Sequence, residues 1–116
     1  HVVKQVVNDQ GSVVRKIEPN LVRETVSEST SEFIRHALFM TVDDEEGTGK
    51  AGRVAGYKVG GKTGTAEVVG RGNNAWFVGF APAENPQIAI SVVLEGGYSG
   101  SSAQYTAKAV FDAFFE

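Results

Sequence analysis

Gly56-Tyr57-Lys58-Val59-Gly60-Gly61-Lys62-Thr63-Gly64-Thr65-Ala66-Glu67 admits two incompatible structures. Its first eight residues match G-x-x-x-x-G-K-[ST], the loop that cradles phosphates, letter for letter. That loop needs a buried strand before it and a helix directly after it, because the helix N-terminus binds the anion. Here Lys50-Ala51-Gly52-Arg53-Val54-Ala55 precedes it, a poor buried strand. Gly64-Thr65-Ala66-Glu67-Val68-Val69 follows it, and Gly disfavours a helix interior while Thr and Val favour strands. The alternative is a strand through Lys62–Val69, with Tyr57-Lys58-Val59 also of strand character. Alternate side chains then fall on opposite faces: Lys62, Gly64 and Ala66 on one, Thr63, Thr65 and Glu67 on the other. At a sheet edge such a strand can pair with an extended peptide, and Gly64 removes bulk where something must approach.

Outward from this stretch the pattern stays that of an antiparallel meander. Asn73-Asn74 is a turn, Ala75–Ala81 a strongly apolar strand stopped by Pro82, and Gln87–Glu95 a further strand after the turn Ala83–Pro86. Upstream, Val2–Val7 and Ser12–Ile17 are β-branched runs around Asn8-Asp9-Gln10-Gly11, which predicts a hairpin. Ser29-Thr30-Ser31-Glu32 has capping-box spacing, and Phe33, Ile34, Ala37, Leu38 and Val42 follow at helical spacing. Glu28 and Glu32 sit near the start of that helix, where its dipole favours acids, and Gly47 ends it at the latest. Ser101-Ser102-Ala103-Gln104 offers a second capping box. Ala103, Ala107, Val110, Phe111 and Phe114 then line one face of a terminal helix that should pack across the sheet. The fold class expected is α+β, an antiparallel sheet covered by helices.

Composition narrows the function. The chain has 116 residues, enough for one domain, and a formal net charge of −3. A net acidic chain argues against a general nucleic-acid surface, since backbone phosphates call for an excess of Lys and Arg. There is no cysteine, hence no disulfide and no thiolate metal site. The longest apolar run, Ile88–Leu94, is strand-sized. His1 follows no initiator Met, which reads as a fragment or processed piece. Asp43-Asp44-Glu45-Glu46 lacks the alternating spacing of a calcium loop, and His36 has no second ligand in range, so no metal is expected. Trp76, Phe77 and Phe80 read as core and rim, and Gly96–Gly100 as a flexible loop that could border a substrate groove.

Gly47-Thr48-Gly49 followed by Gly56–Glu67 resembles the G-T-G…G-Y-x-V-(A/G)-G-K-T-G-T-A-(E/Q) run of class B penicillin-binding proteins, and Trp76–Pro82 resembles their W-F-x-G-(F/Y)-x-P strand. The hairpin and terminal helix are similar in order and spacing, so the resemblance spans nearly the whole chain. It implies the penicillin-binding-protein/serine β-lactamase-like fold and a peptidoglycan D,D-transpeptidase that works by serine acyl transfer, is inhibited by β-lactams and needs no cofactor. By that resemblance Lys62 supplies positive charge and supports proton transfer. Thr63 and Thr65 hold the carboxylate of a D-Ala–D-Ala stem peptide or a β-lactam. The Thr65 N–H is half of an oxyanion hole, and Gly64 gives steric room.

The family's S-x-x-K and S-x-N motifs are not carried here. Ser12-Val13-Val14-Arg15 has Arg in the lysine position, and no Ser-x-Asn occurs. Residues 1–116 are therefore expected to be the C-terminal part of a transpeptidase domain, inactive alone, whose partner is the upstream half of that domain. A membrane anchor, also upstream, would hold it at the extracytoplasmic face. A β-lactamase or β-lactam sensor of the same fold, or an inactive transpeptidase-like binding module, are the alternatives. Tight ATP binding lost on changing Lys62 would revive the phosphate-loop alternative.

Overall fold

The computed structural model describes residues 3–96 and 98–116. Val2, placed in the first strand by sequence, and Gly97, in the glycine loop, lie outside the described residues. The elements run β1 (Gln5–Val7), β2 (Val13–Lys16), α1 (Glu28–Asp43), a 3-10 turn (Lys50–Gly52), β3 (Gly60–Ala66), β4 (Asn74–Ala81), β5 (Ile88–Leu94) and α2 (Gly100–Phe115).

β1 and β2 pair antiparallel as a separate two-stranded hairpin. Asn8 closes its turn, the side-chain oxygen accepting from the Gln10 and Ser12 amides, while Gly11 takes φ +78°. Val6, Val7, Val13 and Val14 are all exposed, so the hairpin is an arm rather than a layer. The radius of gyration, 17.2 Å, reflects this; a compact domain of this length would have about 13 Å.

β3, β4 and β5 form one antiparallel sheet in that order, so β3 is an edge strand. The register pairs Gly61 with Gly79, Thr63 with Phe77, and Thr65 with Ala75. Alternation sends Ala75, Phe77 and Ala81 of β4 and Val92 of β5 toward α2, where they meet Ala103, Ala107 and Phe111 in the core. The opposite face carries Trp76, Val78 and Val93, each 40–46% exposed, so no helix among the described residues covers it. Trp76, Phe77 and Phe80 thus divide between rim and core as their sequence suggests.

Several expectations need correction. Tyr57-Lys58-Val59 is not strand: Tyr57 makes an isolated bridge with Val54, and β3 starts at Gly60. It ends at Ala66, short of Val69, where the chain turns through Gly70 at φ +75°. The α1 cap is Ser27, not Ser29; its hydroxyl accepts from the Thr30 amide. The second capping box is not used either: α2 starts after Ser99 without a side-chain cap bond, and Gln104 is buried elsewhere.

The apolar stripes also differ. On α1 only Val42 is buried, while Phe33 and Ile34 are exposed. Near the end of α1, Thr41 bonds to the Gly61 carbonyl of β3 and Val42 enters the core. On α2, Ala103, Ala107 and Phe111 are buried as expected, but Val110 and Phe114 point away from the sheet and are exposed.

Candidate active-site wall

Lys62, Thr63, Gly64 and Thr65 all lie on β3, and the edge position of that strand organises them. In an antiparallel strand the N–H and C=O of one residue point to the same side, and successive residues alternate. The Gly61 carbonyl accepts from the Thr41 hydroxyl of α1, on the side away from β4. The backbone groups of residues 63 and 65 therefore also point to the free edge, and those of 62, 64 and 66 bond to β4. The outer edge is thus used in two parts. α1 closes it at Gly61; beyond that, Thr63 and Thr65 present their backbone to whatever lies alongside.

Side chains follow the same alternation. Lys62 stands opposite Val78, on the uncovered face of the sheet beside Trp76. Its ammonium donates to the Thr63 carbonyl at the free edge, 2.8 Å, so this charge is folded back onto the open strand. Thr63 and Thr65 lie on the α2 side. The Thr63 hydroxyl donates to the Thr48 hydroxyl at 3.3 Å, which ties the strand to the Gly47-Thr48-Gly49 loop.

The glycines separate structural need from functional room. A methyl group on Gly61 would come within 2.5 Å of the Phe77 ring and 2.9 Å of the Val78 carbonyl. One on Gly60 would strike the Phe80 ring. One on Gly64 would meet only the Trp76 Cβ, at 3.4 Å, an ordinary contact. Packing within the described residues demands glycine at 60 and 61 and not at 64.

Thr48 and Gln104, which the sequence did not single out as site residues, stand behind Thr63 in the structure. Gln104 is 1% exposed and its amide donates to the Thr48 carbonyl, 2.9 Å. The available signal was a polar residue in register with Ala107 and Phe111 on the buried stripe of α2. A separate cleft of 340 Å³ lies between α1 and the turn after β4, lined by Arg35, His36, Phe39, Lys58 and Glu84 among others. Its charges are largely paired, Lys58 with Glu84 at 2.7 Å. Each shifts the other: the hydrogen bond from Lys58 holds the Glu84 carboxyl below its ordinary value, and Glu84 raises Lys58. Among the described residues, no group of three or more His, Asp or Glu side chains is placed to hold a metal.

The whole sequence, residues 1–116, matches the family described as penicillin binding protein transpeptidase domain. The chain belongs to that family. It is 44% identical over 88 residues to stage V sporulation protein D of Bacillus subtilis, covering 71% of this chain and 13% of that protein. It is 42% identical over 83 residues to the peptidoglycan D,D-transpeptidase MrdA of Acinetobacter baumannii, covering 59% and 12% respectively. Among solved structures, the D,D-transpeptidase domain of a peptidoglycan glycosyltransferase from Eggerthella lenta superposes with TM-score 0.74 at 35% identity, over 97% of this chain and 26% of that one. Pseudomonas aeruginosa PBP2 in complex with WCK 5153 gives TM-score 0.73 at 36% identity, over 90% and 24%. The chain spans about an eighth of the length of these two curated relatives. The fold is that of penicillin-binding-protein transpeptidase domains, and the strand-with-free-edge assignment of Lys62–Ala66 replaces the phosphate-loop alternative: a strand follows where a helix would be required.

Proposed function

We propose that this chain is the C-terminal portion of a transpeptidase domain that cross-links peptidoglycan by serine acyl transfer, and that β3 is one wall of its substrate cleft. The observation that carries this is the open half of β3. Thr63 and Thr65 aim backbone groups at an edge that no strand pairs among the described residues, and Gly64 between them is a glycine that packing among those residues does not require. An extended D-Ala–D-Ala stem peptide, or a β-lactam in its place, lies along that edge as an added strand.

The nucleophilic serine comes from the upstream half of the domain, which packs on the exposed Trp76, Val78 and Val93 face. Lys62 projects from that same face, so its charge meets the nucleophile's side of the cleft. The serine oxygen bonds to the carbonyl carbon of the penultimate D-alanine; the peptide bond to the terminal D-alanine breaks, and that leaving amine takes the proton. An acceptor amine then displaces the serine. The Thr65 N–H faces the developing oxyanion, where a preorganised donor is worth most. The Thr63 and Thr65 hydroxyls hold the terminal carboxylate. The reaction takes place on the extracytoplasmic face of the membrane, where cell wall is assembled; no helix among the described residues is long and apolar enough to cross a bilayer.

Labelling with a fluorescent penicillin tests this. The 116 residues alone stay unlabelled, and the same residues joined to their upstream half form a lasting adduct. Labelling of the isolated chain would remove the nucleophile from where it is assigned; turnover of penicillin by the joined protein would make it a β-lactamase.

A further inference from the structure

The carboxylate-anchoring hydroxyl of Thr63 does not stand alone, and the side chains behind it come from three separate parts of the chain. Thr48 sits in a loop pinned on both sides. The Gly47 amide donates to the Asp44 carbonyl, 2.9 Å, and the Gly49 amide to the Thr41 carbonyl, 2.8 Å. A side chain on Gly49 would press on Val42 at 2.9 Å, so the loop lies flat against the end of α1. From the other side, Gln104 of α2 grips the Thr48 carbonyl at 2.9 Å. Thr41, which anchors Gly49, also reaches the Gly61 carbonyl of β3. Strand, loop and both helices therefore converge on Thr48, and what Thr48 offers in return is its hydroxyl, 3.3 Å from that of Thr63.

Gln104 is an odd choice if stability were its purpose. Its Nε2 is committed to Thr48, and its Oε1 has no hydrogen-bond partner among the described residues. A buried acceptor left unpaired costs about 1–3 kcal/mol, whereas an apolar side chain of similar shape would cost nothing of the kind. Reversing the amide would set oxygen against the Thr48 carbonyl, so the orientation is fixed. The residue earns its place through the one bond it makes.

We propose that Thr48 and Gln104 are positioning residues for carboxylate recognition, a relay that runs from α2 through the Gly47–Gly49 loop to Thr63. The proposal rests on the assignment of Thr63 to the substrate carboxylate. Each hydroxyl can donate or accept by rotation. In the structure Thr63 donates to Thr48. When a carboxylate arrives, the Thr63 proton turns to it and the Thr48 proton turns to the Thr63 oxygen. The chain of donors then runs toward the anion, and each bond polarises the next. Without the Thr48 hydroxyl, Thr63 keeps its donor but loses the group that orients it.

The test uses the whole transpeptidase domain and compares acylation rate constants for benzylpenicillin and its methyl ester, which lacks the anion. In the parent the acid reacts faster than the ester. Thr48→Val lowers the acid rate about fivefold to tenfold, as expected for one lost orienting hydrogen bond, and leaves the ester rate and the melting temperature unchanged. Thr48→Ser, which keeps the hydroxyl, restores the parent ratio. Gln104→Met lowers the same ratio by a smaller factor and adds nothing to Thr48→Val. A parent that favours the acid, with Thr48→Val keeping the full preference, overturns the relay alone. A parent with no preference for the acid overturns the assignment of Thr63 and the relay with it. Equal losses for acid and ester in Gln104→Met would make Gln104 a structural residue only and remove it from the relay.

Discussion

The two halves of β3 are seven consecutive residues under one hydrogen-bonding pattern, yet they answer to different neighbours. Gly60 and Gly61 are buried, their missing side chains filled by the Phe80 and Phe77 rings, and the Gly61 carbonyl is closed off by Thr41. Thr63 to Ala66 are partly or fully exposed, and among the described residues no strand pairs with their outer edge, where only the Lys62 ammonium bonds to the Thr63 carbonyl. Glycine at the start of the strand serves the protein's own packing; no contact among the described residues asks for glycine at position 64. One motif can hold glycines under different demands, and only the space around each separates them.

This contrast can be broken or sharpened by substitution in the whole domain. The largest effect is expected at Lys62: Lys62→Met should cut benzylpenicillin acylation by about 10²–10³-fold, the usual loss for a preorganised electrostatic group, with no change in melting temperature. Next comes Gly61→Ala, which forces a methyl group against the Phe77 ring and the Val78 backbone; overpacking of that kind costs about 1–3 kcal/mol, read as a lowered denaturation midpoint. Thr41→Val should cost about 1 kcal/mol by uncapping the Gly61 carbonyl. Gly64→Ala should leave stability within about 0.5 kcal/mol while slowing acylation. If Gly64→Ala destabilised as much as Gly61→Ala, the two halves would not differ as described.

The smallest effect belongs to Lys58 and Glu84, just outside the strand. Glu84 has its carboxyl pKa lowered, chiefly by the Lys58 hydrogen bond, and Lys58 is raised by the same partner. The stability that this pair contributes is present above the ordinary carboxylate pKa and below the ordinary lysine pKa. It is lost as pH falls through the lowered Glu84 value, and again as pH rises through the raised Lys58 value. Both side chains are more than half exposed, so salt should weaken the effect. Lys58→Met should flatten the acid arm of the melting-temperature profile slightly.

The sheet was the most legible part of the sequence, because β-branched runs, glycines and prolines act locally and mark strands whatever surrounds them. The bounds of β4 and β5 fall within a residue of their apolar runs. The helices were less legible. Periodicity identifies an apolar face but not what covers it, so Phe33, Ile34, Val110 and Phe114 looked like core and are exposed. Nothing among the described residues covers those side chains, and periodicity carries no sign of that. Capping was misread at both helices for a similar reason: serines crowd both starts, at 27, 29 and 31 and at 99, 101 and 102, and spacing alone does not choose among them. The placement of Lys62–Thr65 on one strand was legible because the motif is contiguous. Thr48 and Gln104 were not, since their contact spans 56 residues of chain.

The closure of β3 by Thr41 has one more consequence. An open sheet edge invites any passing strand, including that of a second copy, and proteins protect against such pairing by keeping exposed edges short and charged. With Gly61 sealed, only the last few residues of β3 remain available, and Lys62 stands at the entrance with its ammonium over the Thr63 carbonyl. The same threonine that fastens a helix to a sheet also shortens the stretch of β3 that another strand could pair with.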